Sequence, residues 1–305
     1  MSAAAPPREV DLGPAVLGVI GGSGLYALPG LEDVSEHEVS SPWGEPSGPL
    51  TVGRIGATRV VFLPRHGRGH AIPPDAIDYR ANIDAMKRAG VTDLVSLSAV
   101  GSYREHLPPG AFVLPDQYVD RTSGRARSFF GPGCVAHVAF AEPTGPRLRE
   151  RLAAAAEAEG IAVARGGTLV VMDGPQFSTR AESLFYRAQN FDLIGMTAMP
   201  EAKLAREAEI TYATVAMVTD YDAWRDAEPH VDVAGVVAVM NANAEKARRL
   251  VARLAAGFPA RREPCPAGSH RALEGAIVTA PDARDPLLLA KLDAVAGRVL
   301  GSPRP

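Results

Sequence analysis

Cysteine is nearly missing from this sequence: Cys134 and Cys265 are the only two, and they stand far apart. That excludes a disulfide-stapled scaffold and a paired-cysteine metal site, and it suits a reducing, cytoplasmic setting. An excess of charge of one sign is also missing. The net charge of −3 gives no basic field to attract nucleic acid or an acidic membrane. No apolar run is long enough to span a bilayer. The Ala/Pro-rich start lacks the charged region and apolar stretch of a secretory leader, so residues 1–12 are expected to form a disordered tail. No internal repeat is visible. His66 and His70 have no cysteine or carboxylate near them in sequence, which argues against a metal site.

What is present is strand and helix in alternation, the pattern of a largely parallel α/β sheet covered on both faces. Strands are expected at Ala15–Ile20, Leu50–Ile55, Thr58–Leu63, Asp93–Ser98, Ala111–Val119 (interrupted at Pro115), Gly167–Met172, Phe191–Ile194 and Ile210–Val218. Helices are expected over Asp78–Gly90 and Arg147–Glu159, after the capping-box pair Thr179/Glu182, from Pro200, and from Asp232 to Ala256. Residues 13–260 then form one domain. Residues 261–305 form a helical extension, with a short helix at Ala272–Ile277 and another from Asp285-Pro286, packing on the domain or on a neighbouring subunit.

The chain is organised around Ile210–Trp224, ITYATVAMVTDYDAW. An uncharged run of β-branched and small residues reads as a strand buried on both faces. It delivers Asp220 and Asp222 to its carboxyl end, where open α/β sheets bind ligands. A helix cap with a tight turn is the plain alternative. Three other strands also run into small-residue loops. Gly21-Gly22-Ser23-Gly24 presents bare N–H groups, fitting an anion cradle or a simple turn. It lacks the lysine of a P-loop and the full dinucleotide fingerprint. Pro64 to His70, PRHGRGH, offers Arg65 and Arg68 as forks for a phosphate, or forms a solvated loop. Ala99-Val100-Gly101-Ser102 follows Ser98. Met196 beside Thr197 is either core or the floor of a base pocket.

In order, GVIGGSG, LPRHGRGH, LSAVGS, DGPQFSTRAES, GMTAMPE and TDYDAW resemble the trimeric class of purine nucleoside phosphorylases. Within it they look most like the branch acting on 5′-methylthioadenosine, from about Val16 to about Leu254. The resemblance implies a single α/β domain with a central mixed, largely parallel twisted sheet flanked by helices (the nucleoside phosphorylase fold), assembled as a homotrimer. It places Ser23, Arg65, His66, Ser98, Ala99 and Thr197 at phosphate, and Met196 under the ribose and base. Asp220, Tyr221 and Asp222 fall at the base, with Asp220 as the catalytic acid. Val233, Val236 and Val237 fall around the 5′ substituent. His137 matches a residue lent by a neighbouring subunit, and it stands in a loop with Phe129 and Phe130 that its own sheet is poorly placed to cover.

The implied reaction is phosphorolysis of 5′-methylthioadenosine to adenine and 5-methylthioribose 1-phosphate. Inorganic phosphate is the co-substrate, with no metal or organic cofactor. The alternative is a phosphorylase for adenosine or 6-oxopurine nucleosides. Relatives acting on 6-oxopurines carry Glu at the place of Ser178 and Asn at the place of Asp220. Two departures stand near that position, since Asp173 and Gln176 replace the Glu and Arg of EGPRFS. The tail is a candidate to lend Leu273 or Ile277 to a neighbour. Arg65-His66-Gly67 also resembles the histidine phosphatase signature, but that motif belongs at the first strand of its fold, and here a Gly-rich strand-turn precedes it. A nucleotide-sensing module would keep the pocket and lack turnover.

Overall fold

The computed structural model describes residues 12–22, 28–225 and 233–301, with the backbone alone for 233–236. In chain order the strands are β1 Val16–Gly21, β2 Glu32–His37, β3 Leu50–Ile55, β4 Thr58–Pro64, β5 Asp93–Ser102, β6 Phe112–Leu114, β7 Gln117–Asp120, β8 Val163–Arg165, β9 Thr168–Val171, β10 Leu193–Gly195 and β11 Thr211–Asp220. The helices are α1 Tyr79–Arg88, α2 Pro146–Ala158, α3 Arg180–Ala188, α4 Ala198–Glu207, α5 Val233–Ala256, α6 Pro286–Lys291 and α7 Asp293–Leu300.

Among the described residues the eleven strands belong to one mixed sheet. β1 runs parallel to β4 and β5, and β11 runs parallel to β5 along almost its whole length. Side chains alternate across these strands into two cores. Val16, Ile20, Val61, Leu63, Leu94 and Val100 face one, with Met86 of α1 and Leu204 of α4. Leu17, Val19, Val60, Phe62, Val95 and Leu97 face the other, with Leu152 of α2 and Leu250 of α5. This two-sided burial explains the unbroken apolar runs that make the strands legible.

β5 is where the sheet branches. Its first half lies between β1 and β11, and its end gains β10 as an antiparallel partner at Gly101 and Ser102. The small residues after Ser98 therefore continue the strand through Ser102 rather than forming a loop. The β5–β11 register shifts between Val218 and Asp220, an irregularity of the kind that re-aims side chains at a sheet rim. Parallel β1, β4, β5 and β11 all bring their carboxyl ends to the same edge.

Local signals set the helices. Asp78 caps α1 by accepting from the Ala81 N–H at 3.0 Å. Thr179 and Glu182 form a reciprocal capping box at α3. Met199 has strand-like dihedrals, φ −118° and ψ 133°, so the regular part of α4 starts at Pro200. The expected Asp232 cap lies outside the described residues.

The sequence pattern missed β2, whose six residues are all exposed at the sheet edge. It also expected a helix at Ala272–Ile277, where the chain forms turns after a 3-10 turn at Ser269–Arg271. Leu273 is buried in this chain's own core, with its N–H on Glu209 Oε1 at 3.0 Å, so it is not free to reach a neighbour. Leu292, Val295 and Ala296 join the same core, and Arg298 grips Glu209 with two hydrogen bonds of 2.7 Å. Phe129 and Phe130 are buried too, with Phe129 edge-on to Trp43 at 5.2 Å. The two aromatic rings are thus covered by their own chain, while Val135 and His137 further along the loop stay exposed.

Candidate active site

The carboxyl ends of β1, β4, β5, β10 and β11 meet around a cavity of about 250 Å³. Arg65, His66, Ser98, Ala99 and Thr197 line one end; Met196, Asp220 and Asp222 line the rest together with side chains from α5. Ser23 lies outside the described residues, although its neighbour Gly22 borders the cavity.

The expected phosphate end is built on a buried ion pair. Arg65 is 1% exposed, and Glu201 has no exposed surface. The guanidinium donates from Nε and Nη2 to the two oxygens of Glu201 at 2.8 and 3.0 Å. It also donates to Leu97 O at 3.0 Å, Ser96 Oγ at 2.6 Å and Ile20 O at 3.3 Å. Its fork is therefore filled by Glu201, and at most one Nη1 hydrogen is left to face an anion. Arg68, the second expected fork, is exposed and pairs with Glu36 away from the cavity. His66 shares a hydrogen bond of 2.9 Å between Nδ1 and Ile72 O, and His70 stacks on its ring at 4.1 Å. Burial, and then the charge of Arg65, push the His66 pKa down to about 4. At neutral pH the ring is uncharged. If Nδ1 carries its proton to Ile72, Nε2 is left as the proton acceptor. Ser98 Oγ and Thr197 Oγ1 lie 3.3 Å apart and supply two hydroxyls.

At the opposite end, Asp220 accepts from Thr219 Oγ1 at 2.7 Å and from the Asp222 N–H at 2.8 Å. Burial raises the Asp220 pKa above the usual carboxylate range, and burial followed by the charge of Asp220 raises that of Asp222. Asp222 sits at φ 54°, a left-handed conformation uncommon for a residue with a side chain. Met172, Phe177, Ile194 and Met196 give this end an apolar wall.

Not every expected residue lines this chain's own cavity. Tyr221 does not line the cavity; it packs edge-on to Trp224 at 5.9 Å, and its hydroxyl donates to Glu105 O at 3.3 Å. Ser178 is one step back from the cavity, with its hydroxyl on Met172 Sδ at 3.6 Å. Val237 is 47% exposed and is not among the described residues that line the cavity. His137 is exposed and away from this chain's own cavity, where a residue expected to serve a neighbour would stand. The side chains of Val233 and Val236 lie outside the described residues.

Other contributors carried no motif. Gly101 leaves the room that the carboxylates use: a Cβ there would stand 3.1 Å from Asp220 Oδ1 and 3.3 Å from Asp222 Cβ. Asn243 of α5 lines the cavity, its amide donating to Val218 O at 3.1 Å. Arg125 fastens the site from behind, donating to Met196 O, Met199 O and Asp173 O, each at 2.7 Å. Asp173, the departure noted above, holds Ser123 through its N–H at 3.1 Å and its hydroxyl at 2.8 Å. The shorter carboxylate therefore still secures that loop.

An α/β sheet thus gathers two hydroxyls, His66, Arg65 and a pair of carboxylates around one cavity. The chain belongs to the phosphorylase superfamily, whose profile matches residues 16–256. It is 65% identical to the S-methyl-5′-thioadenosine phosphorylase of Bradyrhizobium diazoefficiens, over 94% of this chain and 98% of that one. It is 58% identical to the protein of the same name from Cereibacter sphaeroides, over 93% and 98%. The crystal structure of a methylthioadenosine phosphorylase from an antarctic soil metagenomic library superposes with a TM-score of 0.87 at 42% identity, covering 93% of this chain and 99% of that one.

Proposed function

We propose that this protein cleaves 5′-methylthioadenosine with inorganic phosphate, releasing adenine and 5-methylthioribose 1-phosphate. The observation that carries this reading is the single cavity with Ser98, Thr197 and His66 at one end and Asp220 with Asp222 at the other. The relatives' names agree with it. Breaking the glycosidic bond leaves positive charge on the ribose and negative charge on the departing purine. Phosphate held by the Ser98 and Thr197 hydroxyls, beside Arg65, attacks the anomeric carbon and stabilises the cationic ribose electrostatically. Asp220, protonated because burial disfavours its charge, donates to N7 as the bond breaks, a contribution of about 10²–10⁴ in rate. Asp222 accepts from the 6-amine. These roles use proton transfer and charge placement, which call for no organic cofactor or metal.

The working form is a cytoplasmic homotrimer in this reading, with His137 reaching a neighbour's nucleoside. His137 borders no part of its own cavity, and exposed Val135 and Val278 lie beside it on the same strip. Rates of free-base release from methylthioadenosine, adenosine, inosine and guanosine, at saturating phosphate, test the substrate choice. Methylthioadenosine is expected first and adenosine second. The 6-oxopurines are expected last by up to about 10⁴–10⁵, because their O6 and N1–H leave the carboxylates wrongly paired. Inosine cleaved as fast as methylthioadenosine would refute the base assignment.

A further inference from the structure

Behind the base end lie polar atoms that the reaction leaves unused. Tyr103 follows β5 directly, Ser183 lies near the start of α3, and neither has any exposed surface. The Tyr103 hydroxyl, the Ser183 hydroxyl and Oδ2 of Asp222 are each buried without a hydrogen-bond partner. Both hydroxyls face the Asp222 carboxylate. A buried polar group left unpaired is costly, and folded proteins hold few of them. Three such groups turned toward one another form a set that small adjustments would pair.

The surroundings hold this set in place. Asp222 is tethered by its N–H to Asp220, and Trp224 Nε1 donates to Ser102 O at 2.8 Å. Arg187 of α3 donates to Tyr103 O at 3.4 Å while its guanidinium covers the Trp224 ring at 4.0 Å. The end of β5, the start of α3 and the 220–224 turn are thereby tied together around one carboxylate. The charged group facing Asp222 is Asp220 from β11. Two carboxylates this close do not both ionise readily, and donors stand at both: Thr219 and the Asp222 N–H at Asp220, and the two facing hydroxyls at Asp222. Asp220 has its two oxygens occupied within its own turn, by Thr219 and the Asp222 N–H.

We propose that Tyr103 and Ser183 are positioning residues for Asp222: their hydroxyls donate to its inner oxygen and hold it ionised. Its outer oxygen then accepts the 6-amine of the purine, while Asp220 carries the proton destined for N7. The proposal rests on the functional reading above. Burial raises both pKa values; Thr219 and the Asp222 N–H oppose that rise at Asp220, and Ser183 and Tyr103 oppose it at Asp222, so the two hydroxyls act on Asp222 alone.

The test is equilibrium binding of adenine and of 7-deazaadenine to the full-length protein in phosphate, with kcat/KM for methylthioadenosine followed against pH. Tyr103→Phe and Ser183→Ala should each weaken both bases alike, by about tenfold or more. They should move the acid limb of kcat/KM to higher pH and leave the KM for phosphate unchanged. Asp220→Leu, which leaves no donor for N7, should weaken adenine more than 7-deazaadenine, which has no N7 acceptor. Tyr103→Phe keeps the ring and its packing, so a cooperative melt with native secondary structure separates loss of the hydroxyl from loss of the fold. Wild-type binding with both hydroxyl variants unchanged in affinity and pH profile would overturn the positioning role alone. A wild-type protein that neither binds adenine nor releases base would overturn the functional reading, and this proposal with it.

Discussion

Glu201 carries a charge with no exposed surface, and its partner Arg65 is nearly as deep. Tyr212 adds a hydrogen bond to Glu201 at 2.8 Å. Breaking a buried pair by removing one member costs about 3–5 kcal/mol, because the other charge is left without compensation. Glu201→Gln is therefore expected to lower stability by that order and to misplace Arg65. Denaturant unfolding should report the loss, and a raised KM for phosphate should accompany it. Glu207 gives a pH signature of a different kind. It accepts from Ser128 Oγ and the Phe129 N–H, both at 2.7 Å, yet burial pushes its pKa up from 4.5 to about 7. A raised carboxylate pKa favours the protonated folded state. This contribution is fullest below pH 4.5 and is lost as pH rises through about 7, a swing of roughly 3 kcal/mol. Glu207→Gln should flatten that part of the stability curve in thermal melts across pH 5–8. A variant whose melting point tracked the parent's across that range would show that Glu207 does not titrate there. His66 works in the opposite direction: its depressed pKa contributes stability present above pH 6.5 and lost as pH falls toward about 4.

At the scale of elements, β5 and β11 do most of the positioning, and their legibility was uneven. Ile210–Val218 showed as a strand because both faces are buried, and the paired aspartates at its end showed as a site because core packing has no use for them. The irregularity between Val218 and Asp220 did not show, since a register shift depends on the partner strand and leaves no composition signal. Tyr221 stands between two residues that face the cavity and points the other way, as alternation along the chain places it. Gly101 looked like loop material, whereas its role is to leave room beside Asp220. Gly101→Ala should press on Asp220, Asp222 and Ile194, whose nearest atoms stand 3.0–3.3 Å from the new methyl. The expected outcome is a severalfold rise in KM for the nucleoside, with little change in KM for phosphate, in steady-state kinetics. A parallel rise in both would mean that the whole site had shifted. Asn243, Tyr103 and Ser183 were silent in sequence because single polar residues on α5, after β5 and on α3 acquire meaning only when the fold brings them together.

Across the whole molecule, the alternating strands and helices made the α/β class readable, and the motif loops gave most of the cavity. Polar β2 and the turns at 272–277 were not readable, because an exposed edge strand and a chain of turns lack hydrophobic period. Among the described residues no helix is long and apolar enough to cross a membrane. The segment after residue 260 belongs to the same body, anchored by Leu273, Leu292 and the Arg298–Glu209 pair. Assembly remains the property a single chain expresses least. Proteins carrying Asp220→Asn and His137→Ala, each weakly active alone, should recover activity when unfolded and refolded together. In the proposed trimer, a mixed assembly contains sites that combine an intact Asp220 with a neighbour's intact His137. No recovery, in mixtures shown to contain hybrid assemblies, would place His137 outside the site.

The most direct test is the dependence of base release on phosphate. Methylthioadenosine is incubated with the unmodified protein, with and without saturating inorganic phosphate, and adenine and the sugar product are both quantified. The expected result is adenine release that requires phosphate and matches 5-methylthioribose 1-phosphate mole for mole. Adenine released equally fast without phosphate, with free methylthioribose as the product, would contradict it.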